Sequence, residues 1–251
     1  MSDGAAGQLE HLDEVTRALE ELAGTVGDTD DFGVLLRVVC EQVVRVVPGA
    51  DMASITVLDD TGARTAAATD ERAAKIDGVQ YDEDDGPCLR AARTGDVVRV
   101  EIGTAQRLWP RFTRIAEHYG VASYLASPLQ VRDGAAGAIN LFGFGEHAFR
   151  DVDQKYLELY ATVADTVLHL SRRALRTQEQ VRQLRTAMRT RGVIEQAKGI
   201  LMAARRITAD EAFQLLVGQS QRENTKLHTV SARFVAEHSG HEVVLDGNPA
   251  D

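Results

Sequence analysis

The sequence has few cysteines, few aromatic residues and no long apolar run. Its 251 residues include only Cys40 and Cys88, and no CxxC or HxxxH spacing accompanies them. Two cysteines cannot form a disulfide framework, and the missing ligand motifs argue against a structural zinc. No stretch reaches the roughly 18 apolar residues of a membrane helix, and the first residues lack the layout of a secretory signal. We therefore expect a cytoplasmic protein without a metal site.

Catalytic motifs are missing as well. The chain has no P-loop, no GxSxG and no HExxH, and its seven histidines are scattered without partners at a useful spacing. The acidic run from Asp82 to Asp85 lacks the ligand spacing of a calcium loop and predicts a solvated turn. We expect that the protein is not an enzyme.

The net charge of −10 hides an uneven distribution along the chain. Residues 1–170 carry 15 basic and 29 acidic side chains, whereas residues 171–240 carry 13 basic and 6 acidic ones, a net charge of +7. A basic block of about seventy residues on an acidic protein is typical of a surface that binds a polyanion. The same block is also consistent with a solvated, arginine-rich helical face.

Hydrophobic periodicity predicts an α+β domain in the first two thirds of the chain. Residues 1–30 give an amphipathic helix with a flexible tail, and residues 31–165 give a second helix followed by alternating strand patterns. The Asp133-Gly134 pair predicts a hairpin between the last two strands. These patterns indicate a mixed or antiparallel sheet with flanking helices. The predicted strands are Asp51–Leu58, Ala63–Thr69, Val97–Val100, Ala122–Val131 and Ala135–Phe144, and the predicted intervening helices are Pro87–Arg93 and Ala105–His118.

A long helix without proline or glycine follows over residues 151–190. Its apolar positions alternate at steps of four and three, which predicts a two-stranded coiled coil and a homodimer. The alternative is a single helix that packs on its own sheet through its first half and is solvated in its second. The seam positions are Val163, Val167, Leu170, Ala174, Thr177, Val181, Leu184 and Met188.

Residues 185–240 predict a bundle of three short helices, followed by a tail over residues 241–251. Thr208 and Glu211 form a capping-box signature at the start of the second helix, and Asn224 or Thr225 is expected to cap the third. On the first helix Arg191, Lys198 and Arg205 are seven residues apart, a spacing that lets cations follow phosphates. Gly199 inside this helix costs about 1 kcal/mol relative to alanine, which indicates close approach of another helix or of a ligand backbone.

The C-terminal block contains a specific motif, which resembles the ANTAR domain over residues 185–238. ANTAR domains are three-helix RNA-binding output modules of bacterial antitermination regulators. One departure is Ser231, where alanine is favoured, and a buried serine there can bond to its own helix. The residues that carry the resemblance are Ile194-Glu195-Gln196-Ala197-Lys198-Gly199-Ile200-Leu201-Met202, Asp210-Glu211-Ala212-Phe213, Leu216, Ser220, Asn224, Leu227 and Val230.

The resemblance implies binding to paired RNA hairpins through their loops, so that a downstream terminator cannot form. Unstacked loop bases can be read by a protein, whereas the deep groove of an RNA duplex cannot. Phe213 and Phe234 fit the core stripes, so arginine guanidinium planes are expected to meet the loop. Ala197, Gly199, Ser220 and Asn224 are expected to serve packing and capping. The predicted RNA contacts are Arg191, Lys198, Arg205, Arg206 and Lys226.

The N-terminal domain resembles a GAF domain of the kind fused to ANTAR in actinobacterial regulators, over about residues 31–170. This resemblance implies a sensor for a small molecule or another signal. Its candidate ligand-binding residues are Tyr81, Cys88, Trp109, Tyr124 and Ser127. The residues that carry it are Pro48-Gly49-Ala50-Asp51, Ser54–Leu58, Gly86-Pro87-Cys88-Leu89, Thr94-Gly95, Ser127-Pro128-Leu129 and Gly137-Ala138-Ile139-Asn140-Leu141.

Cys88 follows Gly-Pro at a helix start, where the helix dipole would lower a thiol pKa and permit redox chemistry. We expect instead a small buried residue and no haem or bilin cofactor, because the neighbouring histidine of bilin attachment sites is absent. The sequence as a whole predicts a signal-responsive transcription antiterminator that binds RNA. The competing hypothesis is a ligand- or redox-sensing domain whose terminal helices dock a protein partner.

Overall fold

The computed structural model describes residues 3–25, 31–131, 135–145 and 148–239. The chain divides into two compact units, Met1–Leu175 and Arg176–Asp251. None of the described helices is both long and apolar enough to cross a membrane. The helices are α1 (Asp3–Gly24), α2 (Phe32–Val46), α3 (Glu71–Glu83), α4 (Pro87–Thr94), α5 (Ile102–Ala105), α6 (Pro110–His118), α7 (Asp151–Arg205), α8 (Ala209–Glu223) and α9 (Leu227–Ser239).

The first unit is built on a five-stranded sheet in the order β2-β1-β5-β4-β3, in which every neighbouring pair is antiparallel. All five predicted strands are present, with ends that differ by up to three residues. The predicted Asp133-Gly134 turn lies outside the described residues. The strands are β1 (Met52–Asp59), β2 (Gly62–Ala68), β3 (Val98–Glu101), β4 (Ser123–Pro128) and β5 (Ala136–Gly143).

The two faces of this sheet cover two different cores, because side chains alternate along each strand. On one face Ile55 and Ile139 pack with α1, α2 and the first part of α7. On the other face Met52 and Phe142 pack with α3, α4, α5 and α6. Val15 and Leu22 of α1 are buried in the first of these cores, so the helix predicted within residues 1–30 belongs to the packing of the sheet domain.

Helix α3 is the element that the sequence pattern did not predict. Asp70 caps its N-terminus by accepting a hydrogen bond from the Arg72 amide, and Asp84 ends it in the left-handed region. The buried face of α3 includes Asp77 and Gln80. Polar residues on the inner face interrupt the apolar periodicity by which amphipathic helices are recognised.

The single helix predicted over Ala105–His118 is two helices, α5 and α6. Pro110 occupies the first turn of α6, where its missing N–H costs no hydrogen bond. The acidic run Asp82–Asp85 is also only partly a turn, because its first two residues complete α3.

Helix α7 runs without a break from Asp151 to Arg205, so the predicted linker helix and the first helix of the terminal bundle are one element. In the first unit its Tyr160 side chain is buried and donates a hydrogen bond to the Val39 carbonyl (3.1 Å). Val167 is buried and Val163 half-buried in the same core. Because these two positions pack in the core of the first unit, they cannot also belong to a coiled-coil seam. This agrees with the alternative interpretation, in which the first half of the helix packs on its own sheet.

The second unit has a small core formed by Ala197 and Leu201 of α7 with residues of α8 and α9. The predicted capping box is confirmed, because Thr208 and Glu211 bond reciprocally at the start of α8. Of the two residues that the sequence offers as the N-cap of α9, Asn224 and Thr225, Asn224 is instead the left-handed C-cap of α8. Ser231 is buried and donates to the Leu227 carbonyl of its own helix (2.8 Å), as expected.

Candidate functional site

A set of polar side chains lies buried between the sheet and helix α3, and we call it the buried polar cluster. Ser54 and Thr56 reach it because they alternate with the apolar residues of β1. Its members are Ser54, Thr56, Thr65, Asp77, Gln80, Tyr81, Tyr124 and Asn140.

Asp77 of α3 is the charged member of this cluster, and its side chain is fully buried. Its carboxylate accepts hydrogen bonds from the Ser54 hydroxyl (2.6 Å), the Thr65 hydroxyl (3.4 Å) and the Gln80 amide (3.3 Å). Burial raises the pKa of Asp77 to about 7, although the hydrogen bonds from Ser54 and Thr65 oppose the shift. Near neutral pH this carboxyl group therefore exchanges between its neutral and its charged form.

Asn140 of β5 extends the cluster across the sheet. Its amide nitrogen donates to the hydroxyls of Ser54 (3.0 Å) and Thr56 (2.9 Å). Its Oδ1 atom is buried and has no hydrogen-bond partner among the described residues. A buried acceptor without a partner is costly, so Oδ1 marks a point where a donor from a water or a ligand would be stabilising.

Two tyrosines complete the cluster. The Tyr81 hydroxyl lies 3.0 Å from the Thr56 hydroxyl and 2.9 Å from the Thr65 hydroxyl. The Tyr124 hydroxyl accepts a long hydrogen bond from the Gln80 amide (3.4 Å). Burial raises the pKa of both tyrosines, so both remain neutral donors and acceptors.

Cys88 lies beside this cluster on α4 and is fully buried. Its backbone amide donates to Gln80 Oε1 (2.9 Å). Burial, reinforced by the charge of Asp77, raises the pKa of its thiol well above the ordinary value. The lowered thiol pKa considered from the sequence is therefore wrong, because desolvation outweighs the dipole of a short helix. Cys40 is buried in the core on the opposite face of the sheet.

Three of the five predicted ligand-binding residues meet at this cluster. Tyr81 and Tyr124 are members and Cys88 adjoins them, whereas Trp109 lies in the same core with its indole N–H donated to Asp85 (3.2 Å). Ser127 pairs with Ile139, whose side chain faces the opposite core, so Ser127 does not share the site. The residues missed from the sequence are Ser54, Thr56, Thr65, Asp77, Gln80 and Asn140.

The second candidate site is the basic surface of the second unit. Arg191, Arg205, Arg206 and Lys226 are exposed. Arg206 adopts a left-handed conformation (φ 55°) directly after α7, and its N–H bonds to the Met202 carbonyl (2.9 Å), which ends the helix.

Lys198 is less accessible than the other predicted RNA contacts. Its side chain is 17% exposed, and its Nζ atom lies 2.9 Å and 3.0 Å from the two carboxylate oxygens of Glu195. The same Nζ atom lies 6.0 Å from the ring centroid of Phe213. Lys198 therefore already has an anion and an aromatic face as neighbours.

Two further expectations for this unit are corrected. Phe213, expected in the core, is 36% exposed, whereas Phe234 is half-buried and packs against the core of the unit, as expected. A Cβ atom added at Gly199 would meet nothing within 4 Å, so no helix of the described chain packs closely there. The helix-packing explanation of this glycine is therefore wrong within the described residues.

A groove of about 430 Å³ lies between the end of α7, α8 and α9, and we call it the bundle groove. Leucines, a valine and a phenylalanine provide its apolar lining, and three arginines and two glutamates stand among the polar residues that line it. Its residues are Leu201, Arg205, Leu215, Leu216, Gln219, Arg222, Glu223, Val230, Arg233, Phe234 and Glu237.

Comparisons with known proteins find two families in this chain. The model of the GAF domain matches residues 29–169, and the model of the ANTAR domain matches residues 182–235. All five predicted RNA contacts lie within the second match. No curated protein matches the chain.

Solved structures match part of this chain at low identity. A free methionine-R-sulfoxide reductase from Neisseria meningitidis is 17% identical over 64% of this chain and 91% of its own, with a TM-score of 0.47. The phycoerythrobilin-bound GAF domain of a cyanobacterial phytochrome is 11% identical over 63% and 96%, with a TM-score of 0.49. The GAF domain of an Acinetobacter phosphoenolpyruvate-protein phosphotransferase is 16% identical over 63% and 92%, with a TM-score of 0.45.

The GAF match extends over more than half of the chain, and its limits enclose β1 to β5 together with the buried polar cluster. The chain therefore belongs to the GAF domain family, and it carries a C-terminal ANTAR domain.

Proposed function

We propose that this protein is a signal-responsive transcription antiterminator, in which the GAF domain controls the binding of the ANTAR domain to paired RNA hairpin loops. The observation that carries the proposal is the coincidence of the ANTAR match with the basic part of the chain. Residues 171–240 have a net charge of +7 and the rest of the chain is acidic. Regulation and sensing are the roles that both domain families support, and the proposal assigns no catalytic step.

Electrostatics supports RNA as the partner. Four exposed cations, Arg191, Arg205, Arg206 and Lys226, lie within or beside the helices of the ANTAR domain. Each phosphate that such a cation contacts releases condensed counterions, so the affinity falls as salt is raised. Guanidinium planes can also stack on the unpaired bases of a loop.

The exposed part of α7 supports a homodimer. Beyond the residues that pack on the sheet, Val181 is 42% exposed, Leu184 is 61% exposed and Met188 is 66% exposed. Their spacing of three and four residues is that of a coiled-coil seam, which a second copy of the helix would cover. A dimer presents two ANTAR domains, which fits a target of two hairpins.

The buried polar cluster supports a sensing role for the GAF domain. It combines a carboxyl group of pKa about 7 with the Oδ1 atom of Asn140, which has no hydrogen-bond partner in the part of the chain that the structure describes. A ligand or proton that changed this network would shift the balance between conformations by its differential affinity for them. We propose that the signal is a small polar molecule and that the GAF domain holds no haem, bilin or metal. We also propose that the protein is cytoplasmic.

The direct test is the affinity of the full chain for a synthetic RNA with two stem-loops, measured at low and moderate salt. We expect the logarithm of the affinity to fall linearly with that of the salt concentration, by about 0.7 to 0.9 per phosphate contact. The double variant Lys198→Glu, Arg205→Glu should abolish binding.

The matched control is Arg17→Glu with Arg107→Glu, which makes the same charge change at two exposed positions of the first unit. Equal loss in both double variants would point to net charge rather than to the ANTAR surface. Binding of hairpin RNA by the Lys198, Arg205 variant as tightly as by the parent would show that the proposed face is wrong.

A further inference from the structure

The bundle groove is a feature of the second unit whose apolar lining the proposed function does not use. Its apolar lining is formed by Leu201 at the end of α7, Leu215 and Leu216 on α8 and Val230 and Phe234 on α9. Its volume of about 430 Å³ falls within the range of small-ligand clefts, roughly 300 to 1,000 Å³.

The polar lining of the groove carries a small excess of positive charge. Arg205, Arg222 and Arg233 line it together with Glu223 and Glu237. Glu223 is already engaged, because its carboxylate accepts hydrogen bonds from Arg233 and from the Gln219 amide. Arg233 lowers the pKa of Glu223, so this pair stays charged on both sides. Arg205 and Arg222 remain as the cations that can face an anionic chain, although Arg222 also donates to the Gln219 side-chain oxygen (2.9 Å) and the Glu237 carboxylate lines the same groove.

This combination selects a particular class of occupant. A flat, mostly apolar group fits the leucine and phenylalanine lining, and the Glu237 carboxylate can accept from its N–H groups. The guanidinium groups pair with anions, and phosphates attached to this group would supply them. An unpaired nucleotide satisfies all three conditions, because its base is flat and carries N–H donors and its neighbours supply the phosphates.

We propose that the bundle groove binds one unpaired base of the RNA loop, with the flanking phosphates held by Arg205 and Arg222. This inference rests on the proposed RNA-binding function and names the part of the surface that reads the loop. Phe234 provides an aromatic wall, and its ring is backed on one side by His238, whose ring stacks on it at 4.2 Å. The base packs against the apolar side chains of the groove, and the exposed cations outside the groove contact phosphates along the RNA backbone.

The probe is an RNA selected on the full chain from a pool of tandem stem-loops with randomised loop bases. Each loop position of the selected RNA is then replaced in turn by an abasic nucleotide. We expect one position per loop at which this replacement weakens binding by about 5- to 150-fold, the equivalent of one stacked base.

The groove variant is Leu215→Trp, which fills the groove from a side chain that is 40% exposed. The matched control is Met202→Trp, because Met202 is 38% exposed on the same unit and does not line the groove. In Leu215→Trp the abasic penalty at the sensitive position should disappear, whereas Met202→Trp should keep it. Circular dichroism verifies that both variants fold.

Arg222→Gln is the second groove variant, used if Leu215→Trp fails to fold, since it changes only an exposed side chain. It should weaken binding of the intact RNA and of the abasic RNA to a similar degree, because an abasic nucleotide keeps the phosphates that Arg222 holds. An abasic penalty that persists in Leu215→Trp, or an Arg222→Gln variant that binds the intact RNA as tightly as the parent, would overturn the groove while leaving RNA binding intact. A selection that returns no RNA would overturn both the groove and the proposed function.

Discussion

Ser54 on β1 donates a hydrogen bond of 2.6 Å to the fully buried carboxylate of Asp77 on α3. The bond is part of a relay, because Ser54 also accepts from the Asn140 amide at 3.0 Å. A strand of the sheet and the helix that covers it are therefore joined by a titratable group. The stability of the GAF domain should depend on the protonation state of that group.

Replacement of Asp77 by asparagine should flatten the pH dependence of stability. Because burial raises the pKa of Asp77 to about 7, the folded state retains a proton that the unfolded state loses near pH 4. The stability contributed by this proton is complete below about pH 4 and is lost as the pH rises towards 7. We expect the free energy of unfolding of Asp77→Asn, from urea denaturation, to fall less than that of the parent over this range.

All other titrating groups are the same in Asp77→Asn and in the parent. The difference between the free energies of unfolding of the two proteins therefore cancels their contribution. Glu71→Gln, at an exposed position of the same helix, is the control that should follow the parent. Parallel curves for the parent and Asp77→Asn would contradict the raised pKa of Asp77.

Leu184→Asp should dissociate the proposed homodimer. Leu184 is 61% exposed in the single chain, and a charge in the middle of a paired apolar seam would be buried without a partner. Thr186→Asp adds the same charge at an exposed position of the opposite face and should leave the dimer intact. Sedimentation equilibrium measures both. A parent that is monomeric at all concentrations, or a dimer that survives Leu184→Asp, contradicts the proposed seam.

Two glycines should respond to alanine in opposite directions. A Cβ atom at Gly199 meets nothing within 4 Å among the described residues, so Gly199→Ala should stabilise α7 by up to about 1 kcal/mol. A Cβ atom at Gly137 would lie 2.6 Å from the Thr56 carbonyl oxygen and 2.9 Å from that of Leu129. Gly137→Ala should therefore destabilise the sheet by about 1 to 3 kcal/mol. Thermal unfolding measures the change in stability for each substitution. If both substitutions changed stability equally, the packing described at one of the two glycines would be contradicted.

Single charge reversals should rank Arg205 above Lys198 in RNA binding. Arg205 is exposed, whereas Lys198 is held by Glu195 and lies over the ring of Phe213. Engaging Lys198 with a phosphate requires the ion pair with Glu195 to open, which reduces its net contribution. Fluorescence anisotropy with hairpin RNA should show the larger loss for Arg205→Glu. A larger loss for Lys198→Glu would mean that the ion pair opens in the complex.

Regular patterns in the sequence predicted most of the fold. The alternation along β1 and β5 and the capping box at Thr208 each depend on neighbours along the chain, and each is confirmed. Helix α3 escaped prediction because its buried face carries Asp77 and Gln80, which only the hydroxyls and amides of other elements make tolerable.

The candidate sites were predicted less completely than the fold. Ser54 and Thr56 interrupt an otherwise apolar strand, and that signal could have located the buried polar cluster. Ser127 was misplaced because the face of a strand on which a residue lies depends on its register with the neighbouring strands. The bundle groove joins residues of three helices, so no single segment indicates it.

The most direct measurement is transcription in vitro through an intrinsic terminator that overlaps two stem-loops. The account predicts that the full chain raises read-through in proportion to its occupancy of the RNA, and that the Lys198→Glu, Arg205→Glu variant does not. Read-through that stays constant at concentrations that saturate the RNA, or an RNA that the protein never binds, would contradict it.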